Sequence, residues 1–263
     1  VEWRPLWGFL PPISQFEWNR VFELYMKSPE YIFKNKGMNL EEFKEIFFWE
    51  YFHRLWGRLI GIIFIIPLLF FIIVKKIPKS ILSKLFLILF LGGLQGFIGW
   101  WMVKSGLVND PTVSQYRLTI HLSNALLILS LLIWVYLDVK EGVSQIKPDF
   151  SFFMFSILFI TIIAGAFVAG MDAGLMYNEY PFMGDSLIPE NYGEYQLLDP
   201  FENPASAQFH HRHLALFTTL CALFYCYKYY FESEDKKVKK LSLLISIVVC
   251  SQFTLGIITL INM

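Results

Sequence analysis

The sequence is poor in charged residues and in cysteine, and it carries no net charge. Charged residues make up 17% of the 263 positions, against about 25% in an ordinary soluble domain. Basic and acidic residues number 22 each, so the chain lacks the overall positive field that favours nucleic-acid binding. Its three cysteines, Cys221, Cys226 and Cys250, stand singly in apolar runs. That pattern excludes a disulfide framework and a Cys-x-x-Cys metal or redox motif.

Apolar residues, in contrast, are abundant. They make up 56% of the chain, which includes 27 phenylalanines, and the mean hydropathy is +0.49. This composition excludes a disordered chain and argues against a soluble enzyme. A helix that crosses a bilayer needs about 20 mainly apolar residues. Six stretches meet this requirement, so the sequence predicts an all-α polytopic membrane protein with spans at about 51–74, 81–103, 116–139, 150–171, 208–231 and 241–261.

The distribution of basic residues predicts the orientation of these spans. Lysines are concentrated in the loops after the first, third and fifth spans, and the loops on the other side contain fewer Lys and Arg. The lysine-rich loops should therefore face the cytoplasm or the mitochondrial matrix. Residues 1–50 and the loop near 172–207 then lie on the outer side. The first helix is expected to begin outside the membrane, because Asn39 and Glu42 match a capping box.

The chain contains an internal repeat. Two short motifs recur at almost the same spacing: His53-Arg54 as His211-Arg212, 158 positions later, and Gln95-x-x-x-Gly99 as Gln252-x-x-x-Gly256, 157 positions later. Each motif stands at the same place on helices that run in the same direction, which indicates a parallel duplication. The offset also relates Glu50 to Gln208, so an acid in the first half becomes an amide in the second. The same offset places the counterpart of His121 beyond Met263, and we expect a further histidine there.

Ionisable residues cluster near the outer ends of three spans. Glu50, His53 and Arg54 stand at i, i+3 and i+4 and so share one helical face, as do Arg117 and His121 at i, i+4. Ionisable residues at membrane depth are costly and usually functional. Paired histidines from facing helices suit axial ligation of haem iron, and nearby arginines suit its propionates. The candidate iron ligands are His53, His121 and His211, and the candidate propionate contacts are Arg54, Arg58, Arg117 and Arg212.

Structural readings of these residues compete with the functional ones. A single histidine at a helix start is often an interfacial or capping residue, and Arg58 can extend its head group to the interface. His210 and His213 have no counterpart in the first half, so we interpret them as interfacial. Four glycines of the second span either permit close helix packing or make room for a flat macrocycle: Gly92, Gly93, Gly96 and Gly99.

Longer motifs, in this order along nearly the whole chain, closely resemble the haem A synthase family. They are Glu50-Tyr-Phe-His53-Arg54-Leu-Trp-Gly-Arg58, Gln95-Gly-Phe-Ile-Gly99-Trp-Trp-Met-Val-Lys-Ser-Gly106, Arg117-Leu-Thr-Ile-His121, Val168-Ala-Gly-Met-Asp-Ala-Gly174, Asn178-Glu-Tyr-Pro181-Phe-Met-Gly184, His211-Arg212 and Gln252 to Leu260. The Asn178 to Gly184 segment and the lack of a cysteine pair in the outer loops resemble the mitochondrial and alphaproteobacterial branch.

The resemblance implies an enzyme with eight membrane helices in two pseudo-symmetric four-helix bundles. Members are oxidoreductases that convert the methyl group at ring position 8 of haem O into a formyl group, which yields haem A for cytochrome c oxidase. The residues that match the family's motifs would have separate roles. His53 and His121 would be the axial ligands of the substrate haem, Glu50 the catalytic carboxylate, and His211 one axial ligand of a haem b cofactor.

The resemblance also implies that the chain is truncated at both ends. The Trp3-Arg4-Pro5 segment normally follows a first helix, and the second ligand of haem b belongs to a last helix; six of eight helices are therefore expected here. We divide the chain into an outer-side segment at 1–50, a first-half bundle with the substrate-haem site at 51–139, and a second-half bundle with the haem b site at 140–263.

The expected surroundings follow from this reading. The protein should be multi-pass in the bacterial cell membrane or the mitochondrial inner membrane, with its haem sites near the outer or periplasmic face. Haem O synthase, an electron-transfer protein and a second copy of the chain are the candidate partners, together with the lipid bilayer, and no nucleic acid is expected.

Two other functions compete with the enzyme. One is a b-type electron-transfer cytochrome of the membrane that holds two haems and modifies neither. The change from Glu50 to Gln208 argues against it, because two equivalent electron carriers need no such asymmetry. The other is a transporter built on a parallel repeat, which is disfavoured because the His-Arg pairs lie at one interface rather than at the membrane midplane.

Overall fold

Helices make up almost all of the regular structure. The structure is a computed structural model that describes residues 10–106, 113–142 and 149–263, so the Trp3-Arg4-Pro5 segment lies outside the described residues. The helices are α1 (Gln15–Tyr25), α2 (Pro29–Phe33), α3 (Leu40–Ile73), α4 (Lys79–Gly106), α5 (Gln115–Glu141), α6 (Phe150–Gly170), α7 (Asp199–Glu202), α8 (Pro204–Glu232) and α9 (Lys236–Ile261). No strand occurs among the described residues, and the prediction of an all-α protein is confirmed.

Six of these helices are long and apolar enough to cross a membrane: α3, α4, α5, α6, α8 and α9. Each matches one of the six predicted spans. The capping box at the start of α3 is also confirmed, because the Asn39 side chain accepts hydrogen bonds from the backbone N–H groups of Glu41 and Glu42 while the Glu42 carboxylate accepts from the Asn39 N–H at 2.9 Å. The 34 residues of α3 extend over about 50 Å, longer than a hydrocarbon core of about 30 Å. Its first turns therefore project beyond the membrane.

The chain divides into two compact units, Val1–Ser144 and Gln145–Met263. In the first, α1 and α2 pack on the projecting end of α3 through a buried aromatic cluster of Tyr25, Phe43 and Phe47. The rings of Tyr25 and Phe43 lie 4.8 Å apart between centroids. This cluster ends one turn before Glu50, so it holds the part of α3 that carries the predicted site. Hydropathy did not predict α1 or α2, because neither is a continuous apolar run.

Within the same unit, α4 and α5 pack side by side over their membrane-spanning lengths. Ile81, Ile88 and Val135 form the buried core of this contact. Near it, the Lys84 ammonium pairs with the Asp138 carboxylate, whose side chain is 1% exposed against 23% for that of Lys84. Lys84 also lies 4.2 Å from the centroid of the Trp134 ring, a cation–π contact that strengthens where water is excluded. This ion pair lies at the end of the two helices remote from His121.

In the second unit, α8 packs against both α6 and α9. The hydroxyls of Thr161 on α6 and Thr218 on α8 are 2.7 Å apart and both buried. Asn203 caps α8 by accepting from the N–H groups of Ala205 and Ser206. Such pairs satisfy polar groups that lipid cannot.

The loop before α8 is organised around a buried carboxylate. Asp199 accepts from the Gly193 N–H at 2.8 Å, the Tyr195 N–H at 3.0 Å and the Asn203 amide at 3.1 Å. Burial raises the pKa of Asp199, but these three donors and the nearby Ser206 hydroxyl outweigh it and lower the pKa to about 2. The loop therefore keeps its anchor at any physiological pH.

We predict that the Lys84–Asp138 pair stabilises the first unit as a couple. Lys84→Met should lower the free energy of unfolding by about 3 kcal/mol, because it leaves a buried carboxylate without its counter-ion. The double variant Lys84→Met/Asp138→Leu should cost less than Lys84→Met alone, since it removes that charge as well. Thermal unfolding of the purified protein in detergent measures both. Costs that simply add in the double variant would contradict the coupling.

Candidate functional site

His53 on α3 and His121 on α5 face one another in the first unit. Their ring centroids are 6.5 Å apart, and the ring planes make an angle of 62°. His53 is exposed, and His121 is half-buried. The sequence analysis predicted this pair, and the structure brings the two rings together.

The separation of the rings fits two axial ligands of one iron atom. An imidazole nitrogen binds a metal at about 2 Å, and the ring centroid lies roughly 1 Å behind that nitrogen, so two rings on opposite sides of one metal have centroids about 6 Å apart. The observed 6.5 Å agrees with this value. The ring atom His121 Nδ1 is buried and has no hydrogen-bond partner among the described residues. The donor set, two imidazoles, is one that haem iron accepts.

A carboxylate lies beside this pair. Glu50 is one turn before His53 on α3, and its Oε2 accepts a hydrogen bond from Nη1 of Arg54 at 3.1 Å. The Glu50 side chain is 37% exposed and that of Arg54 is 16% exposed, so the acid is accessible while the arginine is mostly covered. The pair thus holds an anionic oxygen near the face of α3 that carries His53.

The other predicted arginines of the first unit lie around the histidines. The Arg117 guanidinium lies 5.1 Å from the centroid of the Trp101 ring, and its backbone is one turn before His121 on α5. Arg58 is half-buried and one turn beyond Arg54 on α3. Their contact with propionates stays a prediction.

Glycines leave open space on α3 and α4. A Cβ placed on Gly57 or Gly61 of α3, or on Gly92 or Gly96 of α4, would meet no atom of the described residues within 4 Å. Close helix packing therefore does not explain these glycines. Gly57 is one turn after His53, and Gly92 is one turn before Gln95, which contacts His121. The space fits the alternative reading, in which the helices leave room for a flat macrocycle.

His121 is held by two residues whose role the sequence analysis missed. Gln95 of α4 donates from Nε2 to the His121 carbonyl at 3.1 Å and lies 3.4 Å from the ring Nε2. A Cβ on Gly99, one turn along α4, would lie 3.2 Å from Cε1 of the same ring. The repeated Gln-x-x-x-Gly motif was the available signal, because its two residues contact the same histidine.

The second unit holds His211 in a similar way but through different atoms. His211 Nδ1 lies 3.2 Å from the carbonyl of Thr161 on α6. A Cβ on Gly165, one turn along α6, would lie 2.9 Å from Cε1 of the ring, closer than real Cβ contacts allow. A glycine on the neighbouring helix is therefore required for this placement of His211.

The residues that correspond to Glu50 and Arg54 have another function in the second unit. Gln208 donates to the carbonyl of Tyr177 at 2.9 Å. Arg212 donates to the same carbonyl at 2.6 Å and to that of Glu179 at 2.7 Å. Both side chains anchor the loop between α6 and α7. The prediction that Arg212 contacts a propionate stays a prediction, with this anchoring role beside it.

The two remaining histidines lie on other faces of α8. His210 Nε2 is 3.2 Å from the Tyr192 hydroxyl, and His213 is exposed and packs its ring against Phe209 at 4.1 Å between centroids. These contacts involve residues other than His211, and the interfacial role of His210 and His213 stays a prediction.

Comparison with known proteins gives one consistent result. The family model COX15-CtaA, described as cytochrome oxidase assembly protein, matches residues 1–263. The chain is 44% identical to the heme A synthase of Granulibacter bethesdensis over 269 residues, which cover 100% of this chain and 71% of that protein. The heme A synthase of Nitrosospira multiformis is 42% identical (99% and 76% covered), and that of Pelagibacter ubique is 41% identical (100% and 79% covered). No solved structure matches the chain.

The contact between Gly165 and His211 predicts an effect of one added methyl group. Gly165→Ala should displace the His211 ring, because the new Cβ would lie 2.9 Å from Cε1 and the helix backbone cannot yield. Gly99→Ala should have a milder effect on His121, at 3.2 Å. Haem absorption of the purified protein should fall more for Gly165→Ala than for Gly99→Ala. Ala169→Val, which enlarges an exposed residue of α6, is the control, and equal loss in all three variants would contradict the steric argument.

Proposed function

The chain belongs to the COX15-CtaA family of cytochrome oxidase assembly proteins, and from this premise we propose that its His53–His121 site oxidises haem O to haem A. The protein is an oxidoreductase of haem biosynthesis and a multi-pass membrane protein. One observation carries the assignment of the site. Two imidazoles lie 6.5 Å apart, at a spacing suited to one iron atom, and a carboxylate stands one helical turn from the first of them.

The reaction converts a ring methyl group and a water molecule into a formyl group. The methyl group is oxidised first to an alcohol and then to the aldehyde, and the two steps together release four electrons and four protons. The methyl group contributes three hydrogens and water contributes two. One of these five remains on the formyl carbon, and the other four leave as the four protons. The electrons leave to an acceptor, which makes an electron-transfer protein the first candidate partner. The chain itself must hold the substrate, stabilise the charge that develops at the methyl carbon and accept protons.

Glu50 is the group that meets the last two needs. Removal of hydride or electrons from the methyl group leaves positive charge on its carbon, which a nearby carboxylate stabilises. The same oxygen atoms can accept a proton from water or from the alcohol. Arg54 holds the carboxylate at 3.1 Å and so limits the directions in which it points. His53 and His121 orient the substrate by binding its iron.

His211 is the proposed axial ligand of a haem b cofactor in the second unit. Bound there, haem b would supply one-electron transfer. The residues present fit this group. His211 Nδ1 faces the Thr161 carbonyl, so it carries the ring proton and leaves Nε2 free as a ligand, as metal-bound histidines commonly do.

The difference between Glu50 and Gln208 favours the enzyme over an electron-transfer cytochrome with two unmodified haems. An amide is neither a base nor an anion, and Gln208 is engaged with the loop carbonyls. Of the two corresponding positions, 50 in the first unit therefore offers an accessible carboxylate beside its histidine and 208 in the second does not. Chemistry is assigned to the first unit and electron transfer to the second.

We assign the protein to the bacterial cell membrane, or to the mitochondrial inner membrane, with the histidine ends of α3, α5 and α8 at the outer or periplasmic face. Three lysine-rich loops on the opposite side support this orientation. Haem O synthase, which would supply the substrate, and a second copy of the chain are further candidate partners. The lipid-facing helices expose apolar side chains such as Ile60 and Ile63, in keeping with a bilayer environment.

We predict that the two haem sites can be lost separately. His53→Ala or His121→Ala should abolish haem A formation and leave the haem b spectrum of the second unit largely intact, because each site uses its own histidines. His211→Ala should instead abolish the haem b spectrum. Absorption spectra and extraction of haems from the full-length protein measure both. Equal loss of both haems in a correctly inserted His53→Ala variant would contradict separate sites.

We also predict that Glu50 is required for oxidation and not for binding. Glu50→Gln keeps the size of the side chain and copies the residue at position 208. It should still bind haem O, but haem A formation should fall by about 100-fold or more, the range typical of a lost general base.

The control for Glu50 is Glu45→Gln, which removes an exposed acid from the same helix and should leave haem A formation unchanged. Accumulated haem O would place the main role of Glu50 in the first oxidation, and accumulated alcohol would place it in the second. Wild-type yield of haem A from Glu50→Gln would remove Glu50 from the mechanism.

A further inference from the structure

An amide network on α4 and α5 ends at the ring of His121. Asn124 donates from Nδ2 to the Leu91 carbonyl at 3.0 Å and to Gln95 Oε1 at 2.8 Å. Gln95 donates from Nε2 to the His121 carbonyl at 3.1 Å, and the same nitrogen lies 3.4 Å from His121 Nε2. Asn124 is buried, so the network is shielded from water.

The network determines which way the Gln95 amide points. The group of Asn124 that faces the Leu91 carbonyl must be the NH₂, because a carbonyl only accepts. The same NH₂ faces Gln95, which must therefore present Oε1 to Asn124 and its own NH₂ to His121. A donor that faces a ring nitrogen requires a lone pair there. With Gln95 as the donor, His121 Nε2 is the acceptor, which places the ring proton on Nδ1, the atom that has no hydrogen-bond partner among the described residues.

Iron binds an imidazole through the lone pair of its unprotonated nitrogen. In His121 that lone pair is the one that Gln95 approaches. We propose that Gln95 is a positioning residue which exchanges with iron at His121 Nε2 and so promotes release of haem after oxidation. The inference rests on the proposed function, because a site that converts haem has to release it, whereas a cofactor site has to retain it.

The second unit provides the contrast. His211 has its Nδ1 against the Thr161 carbonyl at 3.2 Å, and within the described part of the chain no amide faces its Nε2. The ring is fixed by the nitrogen that iron does not use. A haem bound there meets no competing donor, which suits retention.

A simpler role for Gln95 makes the opposite prediction. If Gln95 only links α4 to α5 and steadies His121, its loss should loosen the ring and make haem leave faster. If Gln95 competes with iron, its loss should make haem leave more slowly. The sign of the change in release rate therefore separates the two roles.

The test is the rate at which iron protoporphyrin IX leaves the first-unit site of the purified full-length protein in detergent. Transfer of the haem to excess apomyoglobin reports its release. The part of the transfer signal that is absent in His53→Ala comes from the first-unit site. Gln95→Leu should release this haem about 3–10-fold more slowly, the effect of removing one competing neutral hydrogen bond. Gln252→Leu changes the repeat-equivalent residue, which is exposed on α9, and should release it at the wild-type rate.

Gln95→Asn provides a second variant in case Gln95→Leu does not fold. It keeps an amide but is one methylene too short to reach the His121 ring, so it should also slow release. An unchanged or faster release in whichever of the two variants folds would overturn the inference. Haem A formation from haem O is measured separately. Absence of haem A in the wild type together with slowed release in Gln95→Leu would count against the proposed function and not against the exchange.

Discussion

Two of the three predicted iron ligands, His121 and His211, pack their imidazole rings against a glycine of a neighbouring helix. His121 of α5 lies against Gly99 of α4, and His211 of α8 lies against Gly165 of α6. The ring is flat and rigid and the glycine has no side chain, so the helix backbones can approach closely, as small residues allow in membranes. In the first unit this contact positions the His121 ring, and with it the 6.5 Å separation from His53. The spacing of the two predicted ligands is thus a property of helix packing rather than of a flexible side chain.

Lipid strengthens this arrangement because it offers no hydrogen-bond partners. Polar groups inside the bilayer must be satisfied within the protein, and here they connect particular helices. Asn124 of α5 bonds to the Leu91 carbonyl of α4, and Lys84 of α4 pairs with Asp138 of α5 near the other end. Two polar contacts at different depths hold one helix in register against the other. The register in turn places Gln95 beside the His121 ring. The polar contacts between α4 and α5 therefore decide which group the His121 Nε2 atom faces.

Much of the fold, and the proximity of His53 and His121, could be predicted from the sequence. Apolar run length predicted all six spans, and the capping box predicted the start of α3 at Asn39. The spacing of Glu50, His53 and Arg54 predicted a shared face because helical periodicity is local. The relation of Gln95 to His121 and Asn124 could not be predicted, since it depends on the register between two helices, which no spacing within one helix encodes. The aromatic cluster of Tyr25, Phe43 and Phe47 could not be predicted for the same reason, because its rings come from two helices, α1 and α3, that only packing brings together.

The duplicated halves show how one substitution separates two roles. At positions 50 and 54, and again at 208 and 212, a side chain stands one turn before an arginine. In the first unit the carboxylate of Glu50 pairs with Arg54, and this satisfies the guanidinium within the helix. In the second, the amide of Gln208 cannot neutralise Arg212, and both side chains donate to the carbonyl of Tyr177. A carboxylate at position 208 would face that carbonyl oxygen with its own negative charge. The amide at position 208 therefore anchors the loop between α6 and α7, whereas the acid at position 50 stays partly exposed beside His53. The same helical positions thus supply a structural anchor in one half and a candidate base in the other.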